Sequence, residues 1–131
     1  MNTLKATLSG ITVSSHISFI DVSVGEDVLH LLLAEPIQAV LHKEVTLVFK
    51  ETEIILSRDF VRTTANVLTG LIRHIRWGEI LSSVELAYHD TTIRALVPTR
   101  TLQEQGFMED EKVYWMIQPS EISLRRDNHG F

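Results

Sequence analysis

The chain says nearly the same thing twice, and this repetition limits its fold more than any other feature. Near the start of each half stands an apolar-polar-Gly opening, Ala6-Thr7-Leu8-Ser9-Gly10 and then Asn66-Val67-Leu68-Thr69-Gly70. Near the end of each half stands a pair of strand-like segments. The first runs from Val45 through Glu53-Ile54 to Arg58-Asp59, and the second from Val113 through Glu121-Ile122 to Arg126-Asp127. Both closings carry Glu-Ile, then Leu, then Arg-Asp at matching offsets. Self-similarity on this scale decides the architecture before local propensity does. It predicts two copies of one small β module, residues 1–60 and 61–131.

A domain of about 60 residues buries only about 60% of its unfolded surface. Each copy therefore has to pack on its twin, on another chain, or on both. The formal net charge is −5, which works against nucleic acid as a general partner. There is no cysteine, so disulfides and thiolate metal sites are excluded. Apolar runs such as Val28 to Leu33 fall far short of the ~20 residues that cross a bilayer, so no membrane insertion is expected. Met1-Asn2-Thr3-Leu4-Lys5 lacks an export-signal core. A cytoplasmic protein is the default expectation.

Most of the chain reads as short strands. Ile11 to Val13 and His16 to Val22 alternate apolar with polar, the period of a half-buried strand. Gly25-Glu26-Asp27, Leu41 to Glu44, Trp77-Gly78-Glu79 and His89-Asp90 read as turns. Val28 to Leu33 is more continuously apolar and is expected to be buried on both faces. Thr99 to Gln105 is different: it has good helix formers, a Thr candidate for the N-cap, Pro98 at its start and Gly106 at its end. The first half has no such segment, which accounts for the eight-residue difference in repeat spacing. Short strands with regular turn punctuation suggest a small barrel in each copy. Ser57 to Thr64 contains no Gly or Pro and reads as a short ordered connector.

The second copy, Thr63 to Leu124, resembles the Mop or TOBE family of small molybdate-binding modules. The resemblance rests on Asn66-Val67-Leu68-x-Gly70, on Gly78 before Val84-Glu85-Leu86, and on Ala95-Leu96-Val97 before the short helix. It continues through Gln103 to Asp110 and ends on Pro119-Ser120-Glu121-Ile122. Asp110 stands where the family usually has Gly, and Gln105 where it usually has Leu. The first copy resembles the same module more weakly. The tandem is similar both to double-Mop storage proteins and to the C-terminal part of molybdate ABC transporter ATPases. No Gly-x-x-x-x-Gly-Lys-Ser/Thr stretch is present, so the ATPase engine itself is absent.

The resemblance implies an all-β fold of two tandem OB-like barrels, the second with one short helix. It also implies a molybdate or tungstate ligand held at interfaces between barrels, a homo-oligomer (dimer or trimer), and possible association with transporter components. Such a dianion offers acceptors only, so its site needs hydroxyls, backbone N–H groups and one or two cations. By family position, Lys5 stands for a usual Arg, Thr3 for a leading Ser, Lys50 for the family Lys, and Thr52 for a hydroxyl. Thr63, Thr64 and Ser120 keep hydroxyl donors in the second copy. Ala65 and Gln118 replace the Arg and Lys there, Pro119 removes one N–H, and Glu51 stands at a small-residue position. The expected contacts are Lys5, Lys50, Thr52, Thr63, Thr64 and Ser120. One site is expected to combine donors of copy one with donors of copy two from another chain.

Other chemistries are weaker. The six histidines show no metal-ligand spacing. Arg73, Arg76 and Arg94 with Trp77 would be the face of an OB-type single-strand binder, in an otherwise acidic chain. No nucleophile elbow or paired-carboxylate spacing is present, so no enzyme is expected. A degenerate module that only mediates assembly is the main alternative to oxyanion binding. Of Tyr114 and Trp115, adjacent on a strand, one is expected in the core.

Overall fold

A computed structural model describes residues 1–125. The described strands are β1 (Asn2–Val13), β2 (Ser18–Val24), β3 (Asp27–Leu33), β4 (Glu44–Phe49), β5 (Ile55–Ser57), β6 (Asn66–Arg76), β7 (Leu81–Tyr88), β8 (Thr91–Pro98), β9 (Lys112–Ile117) and β10 (Ile122–Arg125). One helix, α1 (Thr99–Gln105), and two 3-10 turns, Glu51–Glu53 and Pro119–Glu121, complete the inventory. The expected all-β architecture is present, with its helix in the second half.

The strands form two antiparallel five-stranded sheets, ordered β10-β4-β1-β2-β3 and β5-β9-β6-β7-β8. Each sheet is completed by the other half's last strand. β5 follows β4 in sequence but pairs with β9, and β10 follows β9 but pairs with β4. The chain accordingly divides into two compact units. One is Met1–Phe49 with the described residues from Gln118 onward; the other is Lys50–Ile117. The sequence copies 1–60 and 61–131 are therefore not the structural units. In each unit the 3-10 turn packs on the far edge strand, β3 in the first and β8 in the second, and so curls the sheet toward closure.

Strand pairing fixes the register of the repeat. Asn2 faces Phe49 and Asn66 faces Ile117. A bulge lies between Leu8 and Gly10, and its counterpart between Ile72 and His74. The openings therefore match Asn2 with Asn66, Leu8 with Ile72 and Gly10 with His74. The sequence alignment of Gly10 with Gly70 is off by four residues. The α1 region accordingly adds four residues, not eight. The loops after it repeat atom for atom. His42 N–H donates to the Leu8 carbonyl at 2.7 Å and Asp110 N–H to the Ile72 carbonyl at 2.7 Å. Both loop residues have positive φ, 70° and 66°.

Alternating strands bury one face. Leu8, Ile20, Val22, Leu29, Leu31 and Leu47 fill the first unit; Ile72, Val84, Leu86, Ile93, Val113 and Trp115 fill the second. Each such side chain contributes about 1.5–3 kcal/mol on leaving water. Trp115 is the core member of the Tyr114–Trp115 pair, edge-to-face on Tyr88 at 5.1 Å. Val28 to Leu33 is not buried on both faces. β3 is a sheet edge whose inward residues are Leu29 and Leu31, while Val28 is 51% and Leu32 41% exposed.

Buried serines anchor matching corners. Ser18 Oγ donates to the Glu35 carbonyl and accepts from Ile37 N–H, each at 2.8 Å. Ser82 Oγ accepts from Gly78 N–H at 3.2 Å and lies 2.7 Å from Thr99 Oγ1. Thr99 Oγ1 donates to the Gly78 carbonyl at 2.9 Å, so the proton between the two hydroxyls comes from Ser82. Thr99 is thus the first helical residue, tied to a neighbouring turn, and Pro98 takes the N-cap position without a side-chain bond. Gly106 ends the helix with φ 69°, the left-handed conformation glycine adopts freely. The Ser57 to Thr64 connector has no regular structure beyond β5's last residue.

Candidate functional site

Two equivalent corners sit at the ends of the sheets, one in each unit. In the second unit, Lys50 starts the first 3-10 turn in an extended conformation (φ −79°, ψ 144°). Its carbonyl accepts the Glu53 N–H at 3.1 Å, folding Lys50 to Glu53 into one tight turn. Ile55 pairs with Met116 and Asn66 with Ile117. The turn and the start of β6 therefore stand on opposite sides of the end of β9. In the first unit Gln118 takes the same role (φ −70°, ψ 143°), and its carbonyl accepts the Glu121 N–H at 3.0 Å. There Ile122 and Asn2 flank Phe49.

These corners collect most of the residues expected from sequence. Lys50, Thr52, Thr63 and Thr64 all belong to the second unit and are exposed. The strand exchange puts them in one unit, although the sequence copies separate them. Thr63 Oγ1 accepts the Ala65 N–H at 3.4 Å. Ser120 is exposed on the corresponding turn of the first unit. Asn2 and Asn66, buried at 6% and 5% exposure, open the strand beside each turn. Sequence reasoning used Asn66 but missed Asn2, because the copies were matched on their glycines.

Lys5 is displaced by the register. It corresponds to Thr69, not to Ala65, whose counterpart is Met1. Its side chain is 77% exposed and its nearest ionic partner is Glu44, 3.9 Å away. Thr3 likewise corresponds to Val67. Both residues lie within β1, past Asn2, whereas the alignment had put them ahead of the asparagine position.

Acidic groups accompany the donors. Glu51 and Glu53 lie in the first turn and Glu121 in the second. The Glu111 carboxyl, elsewhere in the second unit, is held below the ordinary carboxylate range by its hydrogen bonds from Arg58. Arg58 also donates to the carbonyls of Gln105 (2.8 Å) and Gly106 (3.0 Å), and lies 5.0 Å over the Phe107 ring. It clamps the end of α1 to the sheet.

A cleft of about 410 Å³ opens between β5 and β8 under α1. Ile55, Val97, Leu102 and Phe107 line it, with Thr52 on its wall. A corresponding cleft of about 350 Å³ in the first unit is lined by Leu33, Ile37 and Leu124 with Glu35. Two of the three arginines named for single-strand binding are engaged with acids: Arg73 with Asp110 of the loop before β9 at 3.8 Å and Arg94 with Glu85 on the same sheet at 3.2 Å. Among the described residues no three His, Asp or Glu side chains are grouped as a metal site. No described helix is long and apolar enough to cross a membrane.

No protein-family model matches the chain, and no curated protein sequence does. Solved structures do. The chain is similar to the cytoplasmic molybdate-binding protein ModG, in a crystal form with molybdate bound. The two are 26% identical with a TM-score of 0.87, over 94% of this chain and 94% of that one. The all-β, OB-type fold with two curled sheets is therefore shared over that length.

Proposed function

We propose that this chain is a cytoplasmic molybdate-binding protein built from two Mop-like repeats, 1–60 and 61–131. The observation that carries the reading is the likeness to molybdate-bound ModG across 94% of both chains. The donor chemistry supports it. A tetrahedral dianion accepts hydrogen bonds and needs positive charge. Lys50 with the hydroxyls of Thr52, Thr63 and Thr64 offers both kinds of donor in the second unit, and Ser120 offers a hydroxyl in the first. Lys5 falls outside this set. Capture breaks no bond, so the protein is a binder rather than an enzyme. Tungstate, of nearly equal size and charge, is a second ligand of the same site. Storage, homeostasis or regulation of a molybdate transporter is the role such binding serves, in a homo-oligomer.

Ligand that binds only the folded protein stabilises it, by about 2.7 kcal/mol at a hundredfold excess over Kd. Thermal melts with sodium molybdate and with chloride at equal ionic strength test this. A rise specific to molybdate is expected, and no rise at millimolar ligand overturns it. The acidic Glu51 and Glu53 in the donor turn favour one competing reading, a module that assembles but has lost its anion. Gel filtration with and without molybdate, beside the melts, separates the two.

A further inference from the structure

The connector from β5 to β6, residues 58–65, has Arg58 at one end and Thr63 and Thr64 near the other. The two threonines are exposed, and Thr63 Oγ1 accepts a hydrogen bond from within the connector, the Ala65 N–H. The Arg58 end is tied to distant parts of the chain. Its Nε donates to Glu111 Oε1 at 2.5 Å and its Nη2 to Oε2 at 3.3 Å, two forks facing each other. The same guanidinium donates to the Gln105 and Gly106 carbonyls, which the end of α1 leaves open. Glu111 Oε2 also accepts the Met108 N–H at 3.1 Å. The Glu111 side chain is only 21% exposed, so the pair is screened less than one on open surface. Next along the connector, Ser57 Oγ donates to the Asp59 carbonyl at 2.7 Å, and Phe60 meets the Tyr114 ring edge-on at 5.8 Å. Lys43 holds the place of Glu111 in the first unit, and a lysine cannot accept from an arginine. The acid half of this clamp therefore belongs to the second unit alone.

We infer that Arg58 is a positioning residue for oxyanion capture: anchored on Glu111 and the end of α1, it restricts the connector and so holds Thr63 and Thr64 ready to donate. The inference rests on the oxyanion reading above and adds how two of its donors are held. The physical reason is entropy. Every residue that a ligand has to order on binding costs backbone freedom, and a connector anchored beforehand has less left to lose. The restraint acts through the chain, so Arg58 needs no contact with the anion.

Titration calorimetry of the full chain with sodium molybdate tests the inference. Arg58→Ala should weaken binding by about tenfold, the equivalent of roughly one residue's backbone order. Ile93→Val, a change in the core of the same unit, should lower the melting temperature and leave the Kd alone. Joint replacement of Thr63 and Thr64 by Ala should also weaken binding, and should cost less when Arg58 is already Ala, because residues that act together are not additive. If Arg58→Ala does not fold by circular dichroism, Glu111→Gln takes its place, with a smaller loss in the same direction. An unchanged Kd in the Arg58 or Glu111 variant overturns the inference while leaving the oxyanion reading intact. So does an equal loss in Ile93→Val, a threonine pair whose removal changes nothing, or strict additivity of the arginine and threonine changes. Absence of molybdate binding by the unaltered chain overturns both.

Discussion

Asn2 and Asn66 occupy one position in two copies of the same sheet. Each is buried, each opens a long strand, and each faces the last residue of the neighbouring closing strand, Phe49 or Ile117. A buried amide thus stands at both places, opposite the last residue before the 3-10 turn's segment. Replacing Asn66 with Ala removes a buried polar side chain, at an expected cost of about 1–3 kcal/mol. Urea denaturation should show this as a lower midpoint with an unchanged slope.

Asp110 and His42 hold matching left-handed loops, φ 66° and 70°. Left-handed backbone costs residues with a Cβ about 1 kcal/mol relative to Gly. Asp110→Gly should therefore stabilise the protein by roughly that amount, less the weak exposed contact to Arg73. A fall in melting temperature would show that the Asp110 side chain matters more than its backbone.

Gly78 tolerates no side chain. A Cβ there would lie 2.0 Å from the Leu81 carbonyl oxygen, and that atom belongs to backbone that cannot swing away. The same turn is tied to Ser82 and Thr99 by their hydroxyls. Gly78→Ala should cost about 1–3 kcal/mol by overpacking, with Gly10→Ala milder because it meets only the Asp21 side chain. Parallel denaturation curves compare the two.

Acid should loosen the Arg58 clamp. The folded-state pKa of Glu111 is lowered, chiefly by its hydrogen bond from Arg58. Its contribution is therefore complete above the ordinary glutamate value and disappears as pH falls through the lowered one. The difference in stability between the native chain and Arg58→Ala should be largest near neutrality and shrink toward strongly acid pH. A difference that stays constant with pH would assign the effect to packing on Phe107 instead.

Trp115 fills the middle of the second sheet, fully buried against Tyr88. Trp115→Ala should cost about 3–5 kcal/mol. Because each half supplies a strand to the other's sheet, the loss should appear as one cooperative transition moving down as a whole. Two resolved transitions by fluorescence and circular dichroism would contradict this.

The duplication was legible because strand alternation and turn residues recur in both halves, and because Gly25, His42, His89 and Asp110 mark loops that polar and glycine clusters announce. Two things were not legible. The segments Glu53-Ile54 and Glu121-Ile122 are so alike that nothing in the residues says which sheet each joins. The register failed on Gly10 and Gly70, which look alike but serve different ends. Gly70 lies under Trp115, where a Cβ would come within 3.3 Å of its ring, whereas Gly10 ends a bulge beside Asp21. That slip carried Lys5 to a place that belongs to Met1. Lys50, Thr52, Thr63 and Thr64 were placed from the closing segments and the β6 opening, whose alignment did not slip, and they share a unit.

The crossing of β5 and β10 between the sheets bears on how such a gene can change. Either half copied alone into another reading frame would arrive with a strand that has no seat and a seat that has no strand. Recombination that respects the sequence repeat separates each sheet from the strand that now completes it, whereas inheritance of the whole tandem keeps both pairings.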